Sequence, residues 1–237
     1  LGREPTPDEV RLMDTLLVLH AEHTFNASTF ATREVASTMA HLYASVSSGV
    51  GALSGPLHGG ANARVMQMLL EVGSEDRVEE WVTGRIESGQ RVMVLGPAVY
   101  KTEDPRAAIL REVARKALAG RDEERWLHLG LALEKVARRQ LVEKKGLDLY
   151  PNVDFYSSPV LYALGFPIDM FPAFFAMSRT SGWCAHVIEE HFAEAQPRTA
   201  LYRPRANYTG RFCGSSGCKW VPLEARGAGC PCGKEFE

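Results

Sequence analysis

Apolar positions recur with a helical period nearly throughout this chain. Thr6-Pro7-Asp8-Glu9 reads as a capping box with proline at the first helical position, opening an amphipathic run through Val10, Met13, Leu16, Leu17 and His20. After Asn26-Ala27-Ser28-Thr29, residues 34–50 are rich in Ala, Ser and Gly. Small side chains let helix backbones approach closely, so that segment predicts one buried helix in a layered bundle. A glycine-rich turn over 51–60 leads into a helix over 61–71, and another helix is predicted over 75–88. Val92 to Leu95 fits a short strand or an extended loop. Asp104-Pro105 caps a helix that reaches Leu118 and stops at Gly120, and residues 123–145 form a long helix ended by Gly146. Asn152-Val153-Asp154 begins a further helix, and residues 172–191 form the last, with an interruption expected at Gly182. The pattern predicts an all-α protein of two packed units.

At 237 residues and 45% hydrophobic content, the chain is long enough for one large or two smaller domains with real cores. Lys and Arg number 27 against 29 Asp and Glu, so no basic excess favours nucleic acid or a membrane surface as partner. The most apolar stretch, Pro159 to Met177, is broken by Pro167, Asp169 and Pro172, well short of the roughly 20 residues a spanning helix needs. The chain starts at Leu1 without a basic-then-apolar leader, which suggests processing, an unusual start or a fragment. Cys184 stands alone, and the other four cysteines crowd the tail, so a reducing, cytoplasmic setting is expected.

Several polar residues sit where packing does not require them. His58 lies between glycines just ahead of a helix start, in Gly55-Pro56-Leu57-His58-Gly59-Gly60-Ala61-Asn62. The positive end of the following helix would keep its imidazole neutral and suited to donate to a carbonyl, although a capping loop histidine fits as well. Asp154 stands at a helix start and reads equally as a plain N-cap. His20 and His23 lack a third partner at metal-ligand spacing, so no metal site is expected. Arg106, Arg179 and Arg203 adjoin prolines or helix junctions. Converging guanidinium groups would suit a dicarboxylate, whereas each alone fits a surface arginine.

In this order, Leu19-His20-Ala21-Glu22-His23 with Asn26 to Phe30, the His58 loop, Tyr100-Lys101-Thr102 with Asp104-Pro105-Arg106, Pro151 to Tyr156, Ser178-Arg179-Thr180 with Gly182-Trp183, and Arg203-Pro204-Arg205-Ala206 resemble the citrate synthase family, from Leu1 to about Gly227. The resemblance implies condensation of acetyl-CoA with oxaloacetate to give citrate and CoA, with acetyl-CoA as co-substrate and no permanently bound cofactor. It implies that Asp154 is the base at the acetyl methyl and that His58 donates to the thioester oxygen. By the same likeness His23, Arg106, Arg179 and Arg203 hold oxaloacetate, and Lys101 and Asn152 contact CoA. The equivalent of Arg203 reaches in from another subunit, implying a homodimer. It also implies a large domain over 1–60 and 166–227, a small domain over 61–165 that closes upon it, and a tail over 228–237.

Three departures qualify the resemblance. Pro97, in Gly96-Pro97-Ala98-Val99-Tyr100-Lys101, stands where the family has a histidine that polarises the oxaloacetate carbonyl. Proline offers no donor, so an impaired enzyme, a non-catalytic relative that binds CoA or oxaloacetate, or a misread residue is expected. Roughly the first third of a family member has no counterpart, which predicts uncovered apolar helix faces. Ser158 replaces a usual glycine. A 2-methylcitrate synthase using propionyl-CoA is the close alternative. In the tail, Cys213 and Cys218 stand at the edge of zinc-knuckle spacing and Cys230 and Cys232 are too close together for a conventional knuckle, so zinc there is not expected.

Overall fold

Thr6 opens the first helix through a reciprocal cap. Its side chain accepts a hydrogen bond from the Glu9 N–H at 3.2 Å, while the Glu9 carboxylate accepts one from the Thr6 N–H at 2.8 Å. Helix α1 then runs Pro7–His20. The computed structural model describes residues 3–90, 92, 103–146, 149–192 and 200–207. Among these, α1 is followed by α2 (Ala27–Ser37), α3 (Leu42–Leu53), α4 (Ala61–Val72), α5 (Val78–Glu87), α6 (Pro105–Leu118), α7 (Glu124–Lys145), α8 (Val153–Ala163) and α9 (Phe171–Phe192), with 3-10 turns before α5 and α9. No β-strand occurs among the described residues, and none of their helices is long and apolar enough to cross a membrane. The strand-or-loop segment after Val92, Pro97, Lys101 and the tail cysteines lie outside the described residues.

Most boundaries follow from local chemistry. Asp104 accepts the Arg106 N–H at 3.0 Å to start α6, and Asn152 accepts the Asp154 N–H at 3.0 Å to start α8. Gly146 ends α7 at φ +63°, a conformation that side chains with a Cβ resist.

The structure corrects the sequence reading in three places. Residues 34–50 are not one helix: the chain turns between α2 and α3, with Met39 at φ +65° and His41 capping α3 by accepting the Ala44 N–H at 3.2 Å. Nor is α3 fully enclosed, since it buries Ser45, Gly49 and Leu53 but leaves Tyr43 80% exposed. In α1, Val10 is exposed and Glu9 is buried, because Arg3 (2.5 Å) and Arg121 (2.7 Å) converge on the Glu9 carboxylate and hold its pKa far below the usual range. Finally, α9 is continuous through Gly182.

Residues up to Tyr202 make one compact unit and residues 203–237 a second; of the latter, residues 203–207 are exposed and irregular. Within the first unit, α2, α3 and α9 pack together, α4, α6 and α7 pack on α8, and α5 packs on α7. Helix α1 bridges α6 and α9. The main apolar core gathers Leu12, Met66, Leu69, Leu110, Leu127, Leu133, Phe155 and Phe171. Several large apolar side chains remain uncovered, among them Val18, Leu57 and Phe192.

Gly182 explains how α9 lies so close to the end of α1. A Cβ at this position would meet the Ala21 carbonyl oxygen at 2.1 Å. Backbone cannot yield as a flexible side chain does, so Gly182→Ala is expected to destabilise the fold by about 1–3 kcal/mol. Urea unfolding would read this as a lower midpoint at unchanged slope, and an unshifted midpoint would contradict the close-approach account.

Candidate active site

The end of α1, the starts of α2, α6 and α8, and the loop before α4 meet where α1 runs into residues 21–26. Two residues of α9 hold the end of α1. Arg179, on α9, donates from Nε to the His20 carbonyl at 2.7 Å, and Ser178 donates to the Leu17 carbonyl. The backbone just beyond carries strain, with Thr24 at φ +51°, a conformation rare for a β-branched residue. His23 sits immediately before it, half-buried.

Phe175 is the hub. It precedes Arg179 by four residues, so both occupy one face of α9. The Arg179 guanidinium lies over its ring at 4.8 Å from the centroid. The His20 and His58 rings meet it edge-on at centroid separations of 5.3 and 6.4 Å. His20 is buried and donates from Nδ1 to the Leu16 carbonyl at 2.8 Å, and its Nε2 lies 3.7 Å from Oδ1 of Asp154. Asp154 thus points from the first turn of α8 toward the ring cluster. Its backbone is braced by Ser157, whose hydroxyl donates to the Asp154 carbonyl, and by Ser158, whose single O–H is shared between the Asp154 carbonyl at 2.7 Å and the Asn62 carbonyl at 2.8 Å.

Asp104 joins two walls of the site. This buried carboxylate grips Arg106 through Nε at 3.1 Å and Nη2 at 2.8 Å, and it accepts the Val153 N–H, the first of α8, at 3.2 Å. One side chain therefore fixes the Arg106 guanidinium and the helix that presents Asp154. Its charge is stabilised by Arg106 and by these N–H groups, which outweigh burial and lower its pKa.

Cationic groups gather opposite. Burial pushes the Arg179 pKa down to about 10, and nearby Arg106 adds to the effect, while Asp154 and Glu22 oppose it. Its Nη1 is buried without a hydrogen-bond partner. His23 is held below its ordinary value by burial and then by Arg106 and Arg179. Such a cluster offers an anion both charge and directed N–H groups.

His58 is also lowered, by burial first and then by Arg179, with Asp154 opposing. Its Nε2 accepts the Ser28 N–H, in the first turn of α2, at 3.2 Å. A backbone N–H has a fixed direction, which assigns the lone pair to Nε2 and the proton to Nδ1. The Ser28 hydroxyl is 2.8 Å from the same nitrogen.

The lowered values of His23 and His58 carry a sign for stability. Near the ordinary value of 6.5 the unfolded chain takes up protons that the folded chain refuses, so stability falls as pH drops from about 7 toward the folded values. His58→Gln is expected to flatten the loss of unfolding free energy between about pH 7 and pH 5. Urea titrations at several pH values would test this, and an unchanged slope would contradict it.

His23, His58, Arg106, Asp154 and Arg179 are thus gathered on one side of α1, α8 and α9, and Asn152 caps the helix bearing Asp154. Arg203 is exposed and begins the second unit, and Lys101 lies outside the described residues. The sequence reading overlooked Phe175, Ser28 and the double attachment of Asp104. Phe175 carried one available signal, its four-residue spacing from Arg179. Among the described residues no three His, Cys, Asp or Glu side chains are placed to hold a metal ion.

Comparison with known proteins supplies the context. Residues 1–205 match the family model described as citrate synthase, C-terminal domain. The chain is 40% identical over 225 residues to citrate synthase 2 of Bacillus subtilis, covering 95% of this chain and 56% of that protein. It therefore spans just over half the length of such relatives. A solved ternary complex of Thermoplasma acidophilum citrate synthase with carboxymethyl coenzyme A and oxaloacetate is similar with a TM-score of 0.80 at 35% identity, covering 95% of this chain and 57% of that one. Citryl-CoA lyase from Hydrogenobacter thermophilus is similar with a TM-score of 0.73 at 27% identity, over 94% of this chain and 83% of that one.

Proposed function

This chain belongs to the citrate synthase family, and from that premise we propose that it condenses acetyl-CoA with oxaloacetate to give citrate and CoA. The observation that carries the reading is the convergence of Asp154, His20, His58 and Arg179 around the single ring of Phe175. In this mechanism the Asp154 carboxylate removes a proton from the acetyl methyl. The C–H electron pair moves into the enolate, whose oxygen receives a hydrogen bond from neutral His58 through Nδ1. A neutral imidazole suits this role because it donates without surrendering a full charge. The enol carbon then attacks the oxaloacetate carbonyl carbon, the carbonyl π pair passes to its oxygen, which takes up a proton in exchange for the one Asp154 removed, and water hydrolyses the thioester to release CoA.

Oxaloacetate is held by its two carboxylates. Arg179, with an unpartnered buried Nη1, and Arg106, aligned by Asp104, supply the charge, and His23 supplies a further contact. Arg203 completes the anion site from a second copy in a homodimer, and Lys101 and Asn152 contact CoA, which enters as a co-substrate. The setting is cytoplasmic, and closure of residues 61–165 over the remainder excludes water during reaction.

Thiol release from acetyl-CoA in the presence of oxaloacetate tests the proposal directly. The expected result is oxaloacetate-dependent release that exceeds release with propionyl-CoA. Faster release with propionyl-CoA would move the assignment to 2-methylcitrate synthesis, and a ligand-induced thermal shift without turnover would make the chain a binding relative. Cleavage of citryl-CoA is the second reading, favoured by the 83% of the lyase's length that this chain spans. Appearance of acetyl-CoA from citryl-CoA with no thiol release would select it.

A further inference from the structure

His20 is a buried titratable group that the mechanism above leaves idle. Its Nδ1 faces the Leu16 carbonyl at 2.8 Å, an acceptor only, so the proton of the neutral ring resides there. The other nitrogen, Nε2, is buried, has no hydrogen-bond partner, and lies 3.7 Å from Asp154 Oδ1. Two lone-pair atoms thus face each other while Asp154 is ionised. This is poor pairing for the carboxylate and good pairing for the carboxylic acid.

We propose that His20 is a positioning residue that accepts the hydrogen bond of Asp154 once Asp154 has taken up a proton. The inference rests on the reading of Asp154 as the base. The methyl C–H bond breaks, its electron pair passes to the enolate, and an O–H bond forms at Asp154. That O–H donates to the His20 Nε2 lone pair, the separation contracting from 3.7 Å to about 2.8 Å. No proton crosses to the imidazole, and the Nδ1–H bond to Leu16 persists. The contact favours the protonated over the ionised base, so it acts on the enol-bearing state more than on the ground state.

The surroundings hold the ring for this task. Phe175 packs on it at 5.3 Å, the Arg179 Nε fixes the His20 carbonyl at 2.7 Å, and Asp154 is the charged group at Nε2. His58 meets the same Phe175 ring edge-on, and its Nε2 already has a partner in Ser28.

Nitrogen-15 NMR of the imidazoles tests the inference without turnover. In the unaltered protein at neutral pH, His20 is expected with its proton on Nδ1 and an unbonded lone pair on Nε2. Asp154→Asn presents an amide N–H in place of the carboxylic O–H and is expected to move the Nε2 resonance upfield. An unmoved resonance, or a proton found on Nε2, would overturn the proposal, and this outcome is readable even if the chain proves to be a non-catalytic binder. Turnover provides the second arm. His20→Asn keeps a donor toward Leu16 but loses the distal acceptor, whereas His20→Gln places an amide oxygen toward Asp154. The former is expected to lower kcat about tenfold with KM for oxaloacetate little changed, and the latter to recover most of that loss. Equal losses in both variants would indicate a purely packing role and defeat the inference.

Discussion

Asp154→Asn is expected to lower kcat by about 10²–10⁴ while leaving KM for oxaloacetate nearly unchanged, the size assigned to loss of a positioned general base. An amide cannot accept the methyl proton at neutral pH, yet its shape and volume match the carboxylate. The fold should tolerate the change because α8 does not depend on this side chain. Asn152 caps the helix through the backbone N–H of residue 154, and Ser157 and Ser158 bond to its carbonyl. Arg179 provides an internal control: loss of the Asp154 charge removes one of the influences that support its protonation, but Glu22 remains and the guanidinium stays cationic. Thiol-release kinetics with matched circular dichroism would measure the effect. A folded variant retaining the full rate would remove Asp154 from the mechanism and, with it, the central argument for the site.

What could be read from the sequence was what lies within one helical turn. The capping box at Thr6 and Glu9, the cap at Asp104 and the glycine stop at Gly146 each involve partners a few residues apart, and each stands as expected, whereas the N-cap of α8 is Asn152 and not Asp154. The misreadings have two physical sources. The turn between α2 and α3 uses Met39 at positive φ and a histidine cap, neither of which announces a break among small residues. Glu9 is inside because Arg121, 112 residues away, pairs with it, and helical spacing alone cannot reveal such a partner. The site shows the same division. Residue types suggested His58, Asp154 and the arginines, but the contact of His58 with Ser28 and the reach of Asp104 from α6 to Val153 are long-range facts. Gly182 was read as an interruption because glycine breaks helices on average. Here its missing Cβ is what lets α9 approach Ala21.

Pro97→His is expected to raise kcat by about 10²–10³, the scale assigned to one preorganised donor at a developing oxyanion. The position lies outside the described residues. The resemblance places a histidine there to polarise the oxaloacetate carbonyl, while proline carries neither a side-chain donor nor a backbone N–H. Because the carbonyl oxygen gains charge only as the new carbon–carbon bond forms, the added donor should act on kcat more than on KM. Proline also restricts the residue before it, here Gly96, so a gain could arise from releasing the backbone. Pro97→Ala separates the two causes, since it restores the N–H and the backbone freedom without a side-chain donor. A large gain for histidine with none for alanine assigns the deficit to the missing imidazole; equal gains assign it to the ring constraint. Asp154→Asn introduced beside Pro97→His should abolish the gain, because a polarised carbonyl has nothing to react with until the acetyl methyl has lost its proton. Persistence of the gain in that double variant would mean that the condensation draws its nucleophile from a base other than Asp154.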